Sequence, residues 1–235
     1  MEYLNQLAFG YYPYVALVTF LLGSWVRFDR EQYSWRSGSS ELLRRSSLRW
    51  GSNLFHIGIL LLFAGHIVGL LTPTAVYHAL GVSSSAKQIM AMVAGGVFGL
   101  VCFVGLTLLV WRRLFDARIR ATSSAMDIFI LALIYAQLII GLATIRASLG
   151  HLDGANMVLM GEWAQRIVTF RAGAAEQLAG VEPVFRLHIF LGLTIFLVFP
   201  FSRLVHIWSA PVWYLGRRYQ VVRRRGGATS AGAGE

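Results

Sequence analysis

Four of the six histidines in this 235-residue chain lie inside long apolar runs. They are His56, His66, His188 and His206. Ionisable side chains are costly in a hydrocarbon environment, and those found there are functional by default. Neutral imidazole nitrogen is also a common ligand of metal ions. These four histidines are therefore candidate ligands of a metal centre inside a membrane.

Five apolar runs predict the elements that carry these histidines. The chain is 56% hydrophobic and 14% charged, against roughly 45–50% and 25% in soluble domains. A bilayer core needs about 20 apolar residues per helical crossing. The sequence therefore predicts an all-α membrane protein with one bundle of five transmembrane helices over residues 1–225, followed by a disordered Gly/Ala/Ser-rich tail, 226–235. The runs cover residues 7–26, 53–72, 89–111, 126–145 and 184–208.

The basic residues predict how the helices are oriented. Six arginines separate the first two runs, four separate the third and fourth, and five follow the fifth. The positive-inside rule then places the N-terminus outside and the C-terminus in the cytoplasm. Because these arginines lie between apolar runs, the net charge of +10 does not indicate nucleic acid as a partner. The single cysteine, Cys102, excludes a disulfide framework or a cysteine-ligated iron–sulfur cluster within this chain.

Topology predicts two histidine pairs. The second and fifth helices run in opposite directions, so His56 shares one membrane half with His206, and His66 shares the other with His188. In straight helices the two separations along the axis disagree. His56 and His66 are ten residues, or about 15 Å, apart, whereas His188 and His206 are eighteen residues, or about 27 Å, apart. This difference can be absorbed by helix tilt, by a bend near Pro200 and by a porphyrin held obliquely between its ligands. A single metal ion held directly between two imidazoles cannot absorb it at both sites. The mismatch favours non-covalent haem b, since no C-x-x-C-H motif is present.

Other residues near the histidines have two interpretations each. Arg203 and Arg186 could neutralise haem propionates, or they could be cationic anchors at the membrane edge. Nearby glycines could let a macrocycle approach the backbone, or they could serve ordinary helix packing. These glycines are Gly58, Gly65, Gly69 and Gly192.

The segment from Ala147 to Pro183 is the longest polar connection in the chain. Residues 157–170 within it predict an interfacial helix with Trp163 and Phe170 as anchors. We expect His78 and His151 to be solvated residues of the outer loops.

Four stretches carry a resemblance to a known family. The sequence resembles the gamma, cytochrome b, subunit of membrane-bound respiratory nitrate reductase from Tyr12 to about Arg223. The stretches are SNLFHIGILLLFAGHIVGLLTP (52–73), KQIMAMVAGG (87–96), FRLHIFLG (185–192) and FPFSRLVHIWSAPV (199–212).

The resemblance implies two b haems, with His56 and His206 ligating the one nearer the cytoplasm and His66 and His188 the outer one. It implies that menaquinol or ubiquinol is oxidised near the outer haem, with Lys87 and Gly65 at the quinol site and protons released outside. It further implies a bacterial inner-membrane location, and electron transfer to an iron–sulfur beta subunit and a molybdenum alpha subunit on the cytoplasmic face.

Three alternatives stay open at this point. The chain could be a dihaem b anchor of another quinone-linked oxidoreductase, which its partner subunits would distinguish. It could be a transporter whose membrane histidines relay protons or bind Zn²⁺, and which would be colourless. It could also be a membrane anchor without cofactors, against which the four placed histidines argue.

Overall fold

The computed structural model describes residues 2–35, 45–210 and 216, and its regular elements are helices. The predicted tail, 226–235, lies outside the described residues. A π-helical turn (Leu7–Tyr11) joins the first two α-helices, and short 3₁₀ helices form at Gln32–Ser34, Phe199–Phe201 and Arg203–Ser209. The α-helices are α1 (Glu2–Gln6), α2 (Tyr12–Arg30), α3 (Arg45–Leu71), α4 (Thr74–Ala79), α5 (Ser84–Phe115), α6 (Ala117–Ala121), α7 (Ala125–Ser148), α8 (Ala155–Val168), α9 (Ala174–Gln177) and α10 (Pro183–Val198).

Over the described residues, five helical segments are long and apolar enough to cross a membrane, which confirms the predicted number of spans. Their outer surfaces carry large hydrophobic side chains such as Leu60 and Val93, both more than 60% exposed. Lipid is the solvent that suits such a surface. The segments are Glu2–Arg30, Leu48–Leu71, Ser84–Phe115, Ala125–Ser148 and Pro183–Phe201.

Helices α3 and α5 pack in close antiparallel contact. A Cβ on Gly58 would lie 2.6 Å from the backbone nitrogen of Cys102, and one on Gly105 would collide with the backbone at Phe55. Small residues allow helix backbones to approach in a membrane, where packing drives association. Since Cys102 and Leu106 are fully buried in this interface, α3 is held firmly in the part around His56.

Helix α8 covers one end of the bundle. Gln165 donates hydrogen bonds to the carbonyl oxygens of Leu70 (3.0 Å) and Thr72 (3.3 Å) at the end of α3. We call this the α8 end, and we call the opposite end, which carries Arg27, Arg112 and Arg113, the arginine end.

The predicted helix in the 147–183 connection exists as α8, but only one of its two predicted anchors is exposed. Trp163 is 7% exposed and donates from Nε1 to the carbonyl oxygen of Phe9 at 2.9 Å. Trp163 therefore packs inside the protein, because the apolar face of α8 meets the N-terminal helices. Phe170 is 82% exposed and stacks on Tyr14.

The fifth span is shorter than the predicted run over 184–208, because its α-helix is interrupted next to Pro200, where the sequence indicates a bend. The α-helix ends at Val198, a 3₁₀ turn contains Pro200, and Ser202 is extended before a second 3₁₀ helix carries His206. Proline has no N–H to continue an α-helix, and its ring clashes with the preceding turn. The straight-helix separation of about 27 Å therefore does not apply.

Arg27 of α2 holds this break in place. Its Nη1 donates to the carbonyl oxygens of Pro200 (2.6 Å) and Ser202 (2.8 Å), which the interrupted helix leaves available. A Cβ on Gly23 would lie 2.8 Å from Cγ of Pro200, so glycine at this position lets the proline ring lie against α2. These contacts fix the start of the segment that presents His206.

We expect Arg27→Ala to loosen this segment. Hydrogen bonds to a charged group contribute about 1.5–3 kcal/mol each, so losing both should speed amide exchange over residues 201–209 by roughly 150-fold or more. Hydrogen–deuterium exchange of the membrane-embedded protein measures this change. Arg30→Ala removes the same charge from an exposed site on the same helix and should leave the exchange unchanged. Equal exchange in the Arg27 variant and the unmodified protein would contradict this role.

Candidate metal centres

The structure brings the four membrane histidines together in the two predicted pairs. The ring centroids of His66 and His188 lie 6.0 Å apart, and those of His56 and His206 lie 6.5 Å apart. A metal atom bound to two imidazole nitrogens at about 2.0–2.1 Å requires a centroid separation of about 6 Å. Both pairs therefore have the spacing of two axial ligands on one metal atom.

The pairs lie at different depths of the bundle. His56 and His66 are ten residues apart on α3, which corresponds to about 15 Å along the helix axis. The pair of His66 and His188 lies towards the α8 end, and the pair of His56 and His206 lies towards the arginine end. The chain thus forms two stacked sites, one in each half of the membrane-spanning region.

Three of the four imidazoles have a fixed tautomer. Each places Nδ1 within 2.7 Å of a backbone carbonyl oxygen three or four residues earlier in the chain. Because a carbonyl oxygen only accepts, Nδ1 carries the hydrogen and Nε2 keeps a lone pair for a metal. Such outer hydrogen bonds orient histidine ligands and increase their basicity. The bonds run from His56 to Ser52, from His66 to Leu62 and from His206 to Arg203.

The surroundings of His66 have room for a large cofactor. His66 is exposed although it lies in a span, and an unsatisfied polar atom in the bilayer core costs several kcal/mol. Positions Gly65, Gly69 and Gly95 would each accept a Cβ without any neighbouring heavy atom within 4 Å. Free Nε2 atoms, paired rings and open space together fit a haem.

A protein-only site for a bare metal ion has less support. Over the described residues, no group of three or more His, Cys, Asp and Glu side chains is placed to hold a metal ion. Zinc sites use three or four protein ligands. Two imidazoles per site suit a macrocycle that supplies the other ligands of its own metal.

His188 has a different environment from the other three paired histidines, because helix α7 packs against it. A Cβ on Gly141 would lie 2.8 Å from Cε1 of His188, so glycine lets the ring approach the helix backbone. Gln137, one turn earlier, donates to the carbonyl oxygen of His188 at 3.0 Å. Sequence reasoning missed both residues. The only signal was a glutamine and a glycine four residues apart in an apolar run.

A charged cluster lies next to the second pair. Nη1 of Arg203 is 3.7 Å from Asp127, whose other carboxylate oxygen is 3.8 Å from Nη1 of Arg113. An arginine stays charged in such surroundings. Arg203 is therefore a fixed cation three residues before His206, and its propionate role stays a prediction.

Arg186 contacts the N-terminal segment. Its Nη2 donates to Oδ1 of Asn5 at 3.0 Å, and its guanidinium lies 5.2 Å from the ring centroid of Phe9. Residues two apart on a helix leave it about 200° apart, so Arg186 and His188 point to different sides of α10. The propionate role of Arg186 stays a prediction.

Lys87 lies in the first turn of α5 at the α8 end, the same end as His66. It is the only lysine in the chain. Its Nζ is 4.0 Å from the ring centroid of Tyr77, a buried residue whose hydroxyl donates to Oγ1 of Thr74. This cation–π contact holds the ammonium near the α8 end of the bundle. The quinol role of Lys87 and Gly65 stays a prediction.

The remaining two histidines lie outside both pairs. His78 is exposed on the short helix α4 rather than in a loop, and its Nε2 is 3.2 Å from Oγ of Ser84. His151 follows α7 and is 3.7 Å from the carboxylate of Glu182. Both are solvent-accessible, as the sequence predicts.

Comparisons with known proteins agree on one family. The family model described as "Nitrate reductase gamma subunit" matches residues 5–225. The chain is 52% identical to the respiratory nitrate reductase 1 gamma chain of Escherichia coli, over 96% of this chain and all of that one. It is 51% identical to the nitrate reductase 2 gamma chain of the same organism, over 96% and 99%. It is 39% identical to the nitrate reductase gamma chain of Bacillus subtilis, over 94% and 99%. With these matches and five membrane-spanning helices, the chain belongs to the nitrate reductase gamma subunit family.

Proposed function

We propose that this subunit is a dihaem cytochrome b that oxidises quinol for respiratory nitrate reductase. The proposal rests on two pairs of imidazole rings, with centroid separations of 6.0 and 6.5 Å, that lie at two depths of a membrane bundle. Two b haems bound there would carry electrons one at a time between quinol and the next subunit. His66 and His188 ligate the outer one, and His56 and His206 ligate the inner one.

The orientation follows from the charges. The arginine end carries most of the basic residues, so the positive-inside rule puts it in the cytoplasm and the α8 end outside. Oxidation of one quinol releases two protons and two electrons. With the quinol site at the α8 end, these protons leave on the outer side of the bacterial inner membrane. The electrons leave at the arginine end, so the subunit contributes to the proton gradient.

The quinol site is proposed beside His66. Lys87 donates a hydrogen bond to a quinol oxygen, and the missing side chain of Gly65 leaves room for the quinol ring. The cation–π contact with Tyr77 keeps the lysine side chain from extending freely into water. The protein contributes ligands, position and a water-poor environment to the reaction.

Nitrate reduction belongs to partner subunits in this proposal. The chain contains one cysteine, Cys102, which is buried between α3 and α5 and cannot hold an iron–sulfur cluster alone. The cytoplasmic arginine end therefore docks an iron–sulfur beta subunit, which supplies electrons to a molybdenum alpha subunit. A dihaem anchor of another oxidoreductase would differ in these partners, and copurification of the subunits distinguishes the two.

Substitution of single ligands tests the two-level arrangement. His66→Ala or His188→Ala should remove the outer haem and abolish quinol oxidation. His56→Ala or His206→Ala should leave an outer haem that quinol still reduces, with no electron transfer to the partner subunits. The measurements are the haem content per chain, expected to fall from two to one, and the quinol-reduced spectrum.

His151→Ala is the matched control, because this exposed imidazole lies outside both pairs, and it should retain both haems. Loss of both haems to the same extent from all four ligand variants would count against two separate sites. A protein without any haem absorption would support the transporter alternative instead.

Lys87→Ala tests the quinol site. Losing a hydrogen bond from a charged donor costs about 1.5–3 kcal/mol, so the KM for quinol should rise about tenfold or more while the haem content stays the same. Arg146→Ala, which removes another exposed cation near the α8 end, should leave the KM unchanged. Unchanged quinol kinetics in the Lys87 variant would rule out its role.

Chemical labelling gives an independent test, because Lys87 is the only side-chain amine. An excess of a non-reacting quinol analogue should slow its modification by an amine-specific reagent. Equal labelling with and without the analogue would place the quinol elsewhere.

A further inference from the structure

His188 is the one ligand histidine whose Nδ1 is not bonded to a carbonyl of its own helix. This atom is buried and finds no hydrogen-bond partner among the described residues. When Nε2 of a histidine binds iron, Nδ1 must carry a hydrogen, and a buried N–H needs an acceptor. The other three ligands meet this need with backbone carbonyls. His188 needs an acceptor from another part of the chain.

Helix α7 places such an acceptor against this ring. Nε2 of Gln137 donates to the carbonyl oxygen of His188 at 3.0 Å and lies 3.5 Å from Nε2 of the imidazole. The other atom of the same amide, Oε1, is buried and has no partner over the described ranges. A buried acceptor and a buried ring nitrogen, both unpaired, thus belong to two residues that touch.

The packing around this amide is specific. Gly141 lies one turn after Gln137 on α7, and a Cβ there would be 2.8 Å from Cε1 of His188. On α10, a Cβ at Gly192 would be 3.2 Å from Nε2 of Gln137. Two glycines therefore make room for the contact, one for the imidazole and one for the amide.

We propose that Gln137 is the positioning residue of the outer haem ligand, with its amide nitrogen on the backbone of His188 and its amide oxygen accepting the ring N–H. This inference rests on the proposed function, since it assumes that His188 ligates a haem. Pairing the two atoms satisfies both and fixes which ring nitrogen faces the iron. Gln137 ligates no metal and acts only through His188, whose carbonyl oxygen and Nε2 its amide nitrogen contacts.

The proposal predicts a change in the reduction potential of one haem. An acceptor on the ring N–H makes an imidazole a stronger electron donor to its metal, which favours the oxidised iron. Removing the acceptor in Gln137→Leu should therefore make the outer haem easier to reduce. We expect a threefold to tenfold change in its reduction equilibrium constant, or about 30–59 mV at 59 mV per tenfold for one electron.

The experiment is a potentiometric titration of both haems in the intact membrane complex, followed by their absorption. Gln137→Leu should raise the potential of the outer haem and leave that of the inner haem unchanged. Gln137→Glu keeps the size and an acceptor oxygen, so the potential should stay near or below the original value. Gln165→Leu is the matched control, because it removes another amide that donates to backbone carbonyls but lies against none of the four ligands.

The outcomes separate the possibilities. Loss of the outer haem from Gln137→Leu with its retention in Gln137→Glu also supports the proposal. Unchanged potentials in Gln137→Leu, equal shifts of both haems, the same shift in Gln165→Leu, or loss of haem from both Gln137 variants would overturn it. An unmodified protein without two haems would instead show that the proposed function fails.

Discussion

Two pairs of imidazole rings, each with centroids 6.0 or 6.5 Å apart, are the constraint on which the rest of the structure depends. Each ring is polar and lies in a part of the chain that meets lipid, where an unpaired ligand nitrogen is costly. This cost is avoided in the pairs His66–His188 and His56–His206 when a bound group occupies the space between the rings. In the proposed function a porphyrin iron would meet this need at both levels, because it binds two axial nitrogens and would fill the open side of the bundle.

The helices around the pairs hold the rings at this spacing. Close contact between α3 and α5, made possible by Gly58 and Gly105, holds α3 in the part around His56. The partners of the α3 histidines stand on a helix that is broken at Pro200, and Arg27 bonds to the carbonyl oxygens at the break. In an uninterrupted helix His188 and His206 would lie about 27 Å apart. Their partners on α3, His56 and His66, lie only about 15 Å apart along the helix axis.

The sequence was sufficient for the five spans and for the pairing of histidines, because both depend on apolar length and on the alternating direction of successive helices. Pro200 indicated a bend, but the sequence was insufficient for its form, because the extended Ser202 and the 3₁₀ helix that follows depend on contacts with Arg27 of α2. It also missed Gln137, whose role arises only when α7 packs on α10. The amphipathic pattern of α8 could not show whether Trp163 meets lipid or protein.

The most direct test of the account is the number of haems bound by the assembled protein. A reduced-minus-oxidised spectrum of the purified complex, combined with haem extraction and quantification of this subunit, gives that number. The account predicts two non-covalent b haems per chain. One haem per chain, or none, would contradict it.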